Sequence, residues 1–222
     1  IAVLGWGSGY GNTYLVQSFF TPLDVARFTF AYSLSSIMQL VATSLNQVWS
    51  PRVFKLIHEA PFSEVEKRNR RFYTTQGLVL GVAGAAVLVA APVVIQLVGG
   101  GLEAYRGLTR ELLFLFLAYG FSTPWYHAQN YYFVHNKGKE LMYVTLAAST
   151  VGVLFWLLSM WMLGPIGAYV GVMLLMTTRM IGALIWARRE WSIQILWEGP
   201  VITLVMLMGA LWFSPFVLEW VF

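Results

Sequence analysis

One arginine, Arg179, stands inside an otherwise apolar segment that covers residues 166–187. It lies eight residues before Ala187, which in a helix is about 12 Å at 1.5 Å per residue. An ionisable side chain at such a depth is costly in hydrocarbon and marks a candidate site. Its guanidinium could bind a phosphate or a carboxylate in a polar cavity. The alternative is that the long side chain reaches the lipid headgroups and has no binding role.

A second candidate is a polar face on the segment 112–134. Its members follow the i, i+3, i+4, i+7 spacing of one helix face; they are Thr123, Tyr126, His127 and Asn130. Pro124 removes a backbone donor within this segment and predicts a kink. A kink beside a polar face is typical of a cavity wall or a moving element. His127 could titrate near neutral pH and couple to protons, or it could be a histidine satisfied by a neighbouring helix.

Two smaller polar sets complete the candidates. Gln39 and Asn46 lie seven residues apart and so share a helix face. That face either lines a cavity or bonds neighbouring helices through polar contacts. Asp24 and Arg27 have i, i+3 spacing near the start of their segment. They could form a gate at the outer mouth of a cavity, or an ordinary surface pair of small energetic value.

The amino-acid composition indicates which class of protein contains these candidate residues. Of 222 residues, 58% are apolar and only 11% are charged, against about 25% charged in an average soluble domain. Soluble, disordered, coiled-coil and disulfide-scaffold proteins are excluded by these values. The chain has no cysteine, so it has no disulfide and no thiolate metal or redox site. No nucleotide-binding loop, metal-ligand cluster or nucleophile–base set is recognisable, and we expect no cofactor and no metal.

Seven hydrophobic segments are long enough to cross a bilayer as helices. They cover residues 1–20, 25–49, 72–98, 112–134, 141–163, 166–187 and 201–222. Their apolar residues do not alternate, which argues against a transmembrane β-barrel. The sequence therefore predicts an all-α, polytopic bundle of about seven spans in a single membrane domain, residues 1–222. Gly167 and Gly171 have the GxxxG spacing that allows close contact between helices.

The distribution of Lys and Arg predicts the orientation. Ten basic residues lie in the alternate connections 51–71, 135–140 and 188–198 or at their edges, and only three lie on the opposite side. Cytoplasmic loops collect Lys and Arg, so these three connections are predicted to be cytoplasmic. The net charge of +4 follows from this bias and does not indicate nucleic-acid binding.

The connection 51–71 has a pattern of its own. Residues 51–60 predict a short amphipathic helix lying in the headgroup plane. Ser63 and Glu66 have the spacing of a capping box at the start of the next helix. The i, i+4 ion pairs that would support that helix are Glu64 with Arg68 and Glu66 with Arg70. The simplest interpretation is a basic loop in contact with anionic lipid.

Three stretches resemble a known transporter family. Ala31-Tyr32 precedes Asn46-Gln47-Val48-Trp49-Ser50-Pro51, which is followed by the basic connection. Later, residues 163–171 hold a Gly-Pro-Ile-Gly-Ala turn, and the next segment ends at Arg188-Arg189. Together these stretches resemble the second half of the polysaccharide-export flippases in the multidrug/oligosaccharidyl-lipid/polysaccharide exporter superfamily.

The resemblance implies both an architecture and a function. Family members have 12 to 14 helices in two similar halves, so this chain would be the second half of a two-lobed transporter, with its partner N-terminal half preceding residue 1. It implies a multi-pass protein of the bacterial inner membrane that flips a lipid-linked oligosaccharide between leaflets for surface polysaccharide biosynthesis. The polar cavity would lie between helices, with Arg179, Gln39, Asn46, Thr123, His127 and Asn130 as candidates for its wall.

Two other functions are compatible with the sequence. An ion-coupled multidrug exporter of the same superfamily would be favoured by an acidic residue deep in a span. A membrane-bound acyl- or glycosyltransferase would need a polar catalytic loop with His or Asp pairs at the membrane surface. The predicted loops are short and carry only His58 and His135, so the sequence favours a transporter over an enzyme.

Overall fold

The structure is a computed structural model that describes the backbone of residues 11–221 and the side chains of residues 11–216. Every regular element in this part of the chain is helical. The elements are α1 (Gly11–Gln17), α2 (Pro22–Glu59), α3 (Phe62–Val98), a 3₁₀ helix (Gly100–Tyr105), α4 (Thr109–Phe121), α5 (Thr123–Val134), α6 (Gly138–Leu163), α7 (Pro165–Trp191) and α8 (Glu198–Val221).

Five of these helices, α2, α3, α6, α7 and α8, are long and apolar enough to cross a membrane. Large apolar side chains cover much of the outer surface, such as Trp161 at 79% exposure and Trp212 at 71%, which suits lipid and not water. The protein is therefore a helical membrane protein. The prediction of seven spans is only partly met, because residues 112–134 are divided between two short helices and only 11–17 of the segment 1–20 form a described helix.

The break between α4 and α5 lies at the predicted kink. Pro124 has no N–H to donate to the carbonyl of Gly120, and the hydroxyl of Thr123 donates to that carbonyl at 3.1 Å instead. The hydroxyl of Ser122 likewise donates to the carbonyl of Tyr119 at 2.6 Å. The kink prediction is confirmed, and neighbouring hydroxyls satisfy the carbonyls at the break.

Residues 51–60 do not form a separate helix, as the sequence had predicted, because α2 continues through Pro51 to Glu59. The proline ring suits helical φ and removes a single backbone donor. Burial then favours continuation: Val53 is 1% exposed, and Leu56 and Ile57 pack on a buried cluster. The connection to α3 is only two residues long.

The predicted capping box at the start of α3 is also wrong. Pro61 occupies the N-cap position without a side-chain bond to the helix. Glu66 does not return to this helix start, because its side chain is buried at 2% exposure among other helices. Its carboxylate is therefore part of the protein interior and not of the membrane surface.

Only one of the two predicted ion pairs in α3 is present. The side chain of Arg68 donates to Glu64 at 2.7 Å, as expected for an i, i+4 pair. Arg70 does not pair with Glu66, because its Nε donates to Glu198 of α8 at 2.6 Å. This contact ties the first turn of α8 to α3.

The bundle contains two clusters of buried residues, which lie toward opposite ends. The first packs the middle and one end of α2–α8 around Phe28, Leu115 and Trp156. The second joins the ends of α2, α5 and α7 to the beginnings of α3 and α6 around Val65, Tyr132 and Ala183. The three connections rich in Lys and Arg thus meet at one end of the molecule, which we call the basic end, in agreement with the predicted alternation.

Small residues determine the contact between α6 and α7. A Cβ atom added to Gly167 would collide with the backbone carbonyl of Ser159. One added to Gly171 would collide with the indole ring of Trp156, itself 2% exposed. The GxxxG spacing therefore marks a real close contact, which sets the position of α7 and of Arg179 on it.

Candidate functional site

Helices α2, α4, α5 and α7 surround a cavity of about 710 Å³. This volume lies within the range of about 300–1,000 Å³ typical of ligand pockets. On α2 the wall extends from Tyr32 to Phe54, which is about 33 Å along a helix and comparable to the roughly 30 Å hydrocarbon core of a bilayer. The cavity thus follows most of the membrane-spanning length of α2 and reaches the basic end.

The wall is polar and aromatic. Amide and hydroxyl side chains of α2 dominate one side; they are Gln39, Thr43, Asn46, Gln47 and Ser50. The opposite side is formed by aromatic residues and one amide of α4 and α5, namely Tyr119, Trp125, Tyr126, Gln129 and Phe133. Such a surface offers hydrogen-bond donors, acceptors and flat ring faces to a polar ligand.

Among the described residues that line this cavity, Arg179 is the one that carries a charge. Its guanidinium carbon lies 5.8 Å from the centre of the Trp125 ring, within cation–π range. Within residues 11–216 no carboxylate lies within 4.0 Å of it, and its Nε is buried without a hydrogen-bond partner. The positive charge is stacked but not neutralised, which leaves it available to an anion.

Gln39 and Asn46 both line the cavity. Gln39 accepts a hydrogen bond from the hydroxyl of Tyr119 at 3.4 Å. Asn46 is 9% exposed and also takes part in bonds to neighbouring helices. This face of α2 therefore lines the cavity and also bonds to neighbouring helices.

The predicted polar face of α5 is divided by the fold. Tyr126 lines the cavity, whereas Thr123, His127 and Asn130 are each at most 1% exposed and point toward the packed interior. At 100° per residue Tyr126 lies at the edge of the four-residue face, so it turns to the cavity side while the other three do not. Those three residues do not line this cavity.

Asn130 is the centre of a buried hydrogen-bond network. Its amide nitrogen donates to the hydroxyl of Tyr73 at 3.0 Å and to the carbonyl oxygen of Asn46 at 3.3 Å. Its own carbonyl oxygen accepts a bond from Ser50 at 2.7 Å. The network joins α2, α3 and α5 behind the cavity wall, where unpaired polar groups would be costly.

We expect Tyr73→Phe to destabilise the folded protein by about 1–2 kcal/mol, because the buried amide of Asn130 loses its better acceptor. Thermal unfolding of the purified protein in detergent measures the effect. Tyr143→Phe is the matched control, since Tyr143 is 63% exposed and should change nothing. Equal melting temperatures for the two variants would contradict the network's contribution.

A buried acidic site was not predicted from the sequence. Glu66 accepts a hydrogen bond from the hydroxyl of Tyr131 at 2.6 Å and another from the backbone N–H of Gln194 at 2.9 Å. The Nε2 atom of His127 lies 3.5 Å from the same carboxylate. One signal could have revealed it: the polar residues of α3 recur at helical spacing, and all are buried, namely Glu66, Asn69, Tyr73 and Gln76.

The predicted pair at the opposite end is not formed. Asp24 instead makes a capping box with Thr21 at the start of α2. Arg27 lies 3.8 Å from Glu111 of α4 and also donates to the carbonyl of Arg106 at 3.5 Å. A second, smaller cavity of about 240 Å³ shares no lining residue with the large one. It is lined by Asp24, Arg27, Glu111, Pro165, Ile166 and Tyr169.

Among the residues that the structure describes, no group of three or more His, Cys, Asp or Glu side chains is arranged to hold a metal ion. No family model, no curated protein and no solved structure matches this chain.

Proposed function

We propose that the protein moves a lipid-linked oligosaccharide across the bacterial cytoplasmic membrane, as the second half of a two-lobed flippase. One observation carries this proposal: a cavity of about 710 Å³ between membrane helices contains an arginine without an ionic partner in the described part of the chain. A lipid-linked oligosaccharide joins its sugars to the lipid through phosphate. Arg179 can bind that phosphate, because a guanidinium matches the geometry of phosphate oxygens.

The rest of the wall suits a glycan. Sugars present many hydroxyl groups, which both donate and accept hydrogen bonds, and the amides and hydroxyls of α2 complement them. Sugars also present flat C–H faces that pack on aromatic rings, and Trp125 and Tyr126 line the opposite wall. A binding site for sugars and phosphate is expected to combine a cation, amides and aromatic rings in this way.

The charge of the wall disfavours the exporter of cationic drugs. Such a transporter needs an acidic group where the drug binds, and the described lining residues include no Asp or Glu. The buried acid Glu66 lies outside this lining. Arg179 would repel a cationic drug from the centre of the cavity.

The proposal is tested by deleting the full-length gene in its host and analysing the lipid-linked oligosaccharides of the inner membrane. We expect complete units to accumulate on the cytoplasmic leaflet while surface polysaccharide is lost. Unchanged glycans with altered sensitivity to cationic drugs would favour the exporter. Incomplete or unmodified glycans would instead indicate a transferase.

A further inference from the structure

Two titratable side chains are buried against each other near the basic end. Glu66 of α3 is 2% exposed and His127 of α5 is 1% exposed, and His127 Nε2 lies 3.5 Å from Glu66 Oε1. Both ring nitrogens of His127 lack a hydrogen bond among the described residues. Neither side chain lines the cavity, and the phosphate and glycan binding proposed above does not use them.

The number of protons on this pair decides its net charge. With one proton shared between the imidazole and the carboxylate, the pair is neutral overall, either as an ion pair or as two uncharged groups. Loss of that proton leaves one negative charge on a buried carboxylate, and a buried charge without a counter-charge is strongly unfavourable. The packed arrangement of α3 against α5 therefore favours the singly protonated pair.

Other titratable groups around the pair do not supply the missing charge. On α3, Tyr73 packs its ring edge-on to His127. On α5, Tyr131 donates to Glu66 and stacks on His135 at 6.4 Å on its far side. The segment before α8 contributes a backbone N–H from Gln194.

Charged groups on the surrounding helices are directed elsewhere. Arg70 of α3 is bonded to Glu198 of α8. At the end of α2, His58 and Glu59 are exposed, as are the charged residues 188–190 at the end of α7. Within residues 11–216, His127 is the one side chain within 4.0 Å of the Glu66 carboxylate that can carry a positive charge.

The pair and the cavity share one short helix. His127 and Tyr131 of α5 face Glu66, while Tyr126 and Gln129 of the same helix line the cavity. Helix α5 is 12 residues long and begins at the break beside Ser122, so it can tilt without bending a longer helix. A shift of α5 toward or away from α3 would therefore also displace the side chains that line the cavity.

We propose that Glu66 and His127 form a proton-binding site that controls the position of α5, and thereby access to the cavity. This inference rests on the proposed function for its biological meaning, but the site itself is a property of the protein alone. The protonated pair holds α5 against α3. As the pH rises and the proton leaves, the contact weakens and α5 moves away from α3.

The test uses cysteine accessibility, because the chain contains no cysteine of its own. Gln129→Cys places a thiol on the cavity side of α5, and Gln47→Cys places a reference thiol on α2 in the same cavity. Each is introduced singly into the full-length protein in its native membranes, after any cysteine outside these 222 residues has been replaced by serine. Labelling with a membrane-impermeant maleimide is measured between about pH 6 and pH 8. Dividing the two rates removes the intrinsic effect of pH on thiol reactivity.

We expect the ratio of the Gln129→Cys rate to the Gln47→Cys rate to rise roughly fivefold across this range, the lower limit of a typical coupling between sites. The rise should disappear in Glu66→Gln and in His127→Gln. It should persist in the control Glu198→Gln, which neutralises a different acid at the same end. A constant ratio in the parent protein, or an unchanged rise in both pair variants, would overturn the proposal.

A milder variant covers the case in which Glu66→Gln or His127→Gln does not fold. Tyr131→Phe removes one hydrogen bond to the carboxylate but keeps the pair, so it should shift the midpoint of the rise. An unshifted midpoint counts against the proposal. Labelling requires no substrate, so it can show the pH response even if the protein does not flip a glycan. Conversely, glycan flipping without a pH response would overturn this proposal and leave the proposed function intact.

Discussion

Arg179→Ala is expected to reduce export of the lipid-linked oligosaccharide by about tenfold or more, while the protein remains in the membrane at its normal level. A hydrogen bond to a charged group contributes about 1.5–3 kcal/mol, and each 1.4 kcal/mol is a factor of ten in an equilibrium constant. Loss of the only cation in the described cavity wall removes that contribution from phosphate binding. Surface polysaccharide and membrane-bound precursor are measured in a deletion strain that carries the variant.

Three further variants separate the effect of the charge from other effects of the substitution. Arg179→Met keeps an unbranched side chain of similar reach without the charge and should behave like the alanine variant. Arg179→Lys restores the charge but not the planar stack on Trp125, so we expect intermediate export. Arg189→Ala removes an exposed arginine from the end of the same helix and should export normally. Normal export by both Arg179→Ala and Arg179→Met would exclude a role for this charge.

Gly167→Ala should cost about 3 kcal/mol of folding free energy, at the upper end of typical overpacking effects. The added methyl group would meet the backbone of Ser159 and Met160 in α6, and a backbone cannot rotate away as a side chain can. The helices must therefore separate. Separation also weakens the bond from the Ser159 hydroxyl to the carbonyl of Gly167, now 2.8 Å long.

The control for this prediction is Gly209→Ala in α8, where nothing lies within 4 Å of the added atom. It should leave stability unchanged or raise it slightly, because alanine is the better helix former. Thermal unfolding in detergent compares the two variants with the parent protein. A Gly167→Ala protein as stable as Gly209→Ala would show that α6 and α7 are not in such close contact.

The sequence by itself was sufficient to predict the features that depend on hydropathy or on contacts within one turn of a helix. The low charge content and the long apolar segments predict a helical membrane protein, and the structure confirms it with five helices able to span a bilayer. The proline at position 124 predicts the break in the segment 112–134, because its missing N–H acts on the adjacent turn alone. The pair Glu64–Arg68 is predictable for the same reason.

Features that join distant parts of the chain were decided only by the tertiary structure. Glu66 is 128 residues from Gln194, and Arg70 is likewise 128 residues from Glu198. Local spacing predicted a capping box for Glu66 and an i, i+4 pair for Arg70, both of small energetic value at a surface. Burial reverses the choice for Glu66, because a carboxylate removed from water must find strong partners wherever the fold supplies them. Arg70 stays exposed, and it pairs with Glu198 because the packing of α8 on α3 brings that carboxylate within reach.

The cavity shows the same division. The sequence marks Arg179, Gln39 and Asn46 as polar residues in apolar segments, since hydrocarbon makes any such residue exceptional. It does not show that Tyr126 turns to the cavity while His127 turns to Glu66, because adjacent residues of a helix differ by only 100° in direction. The helices packed around α5 determine which of these directions is a polar cavity and which is a buried contact.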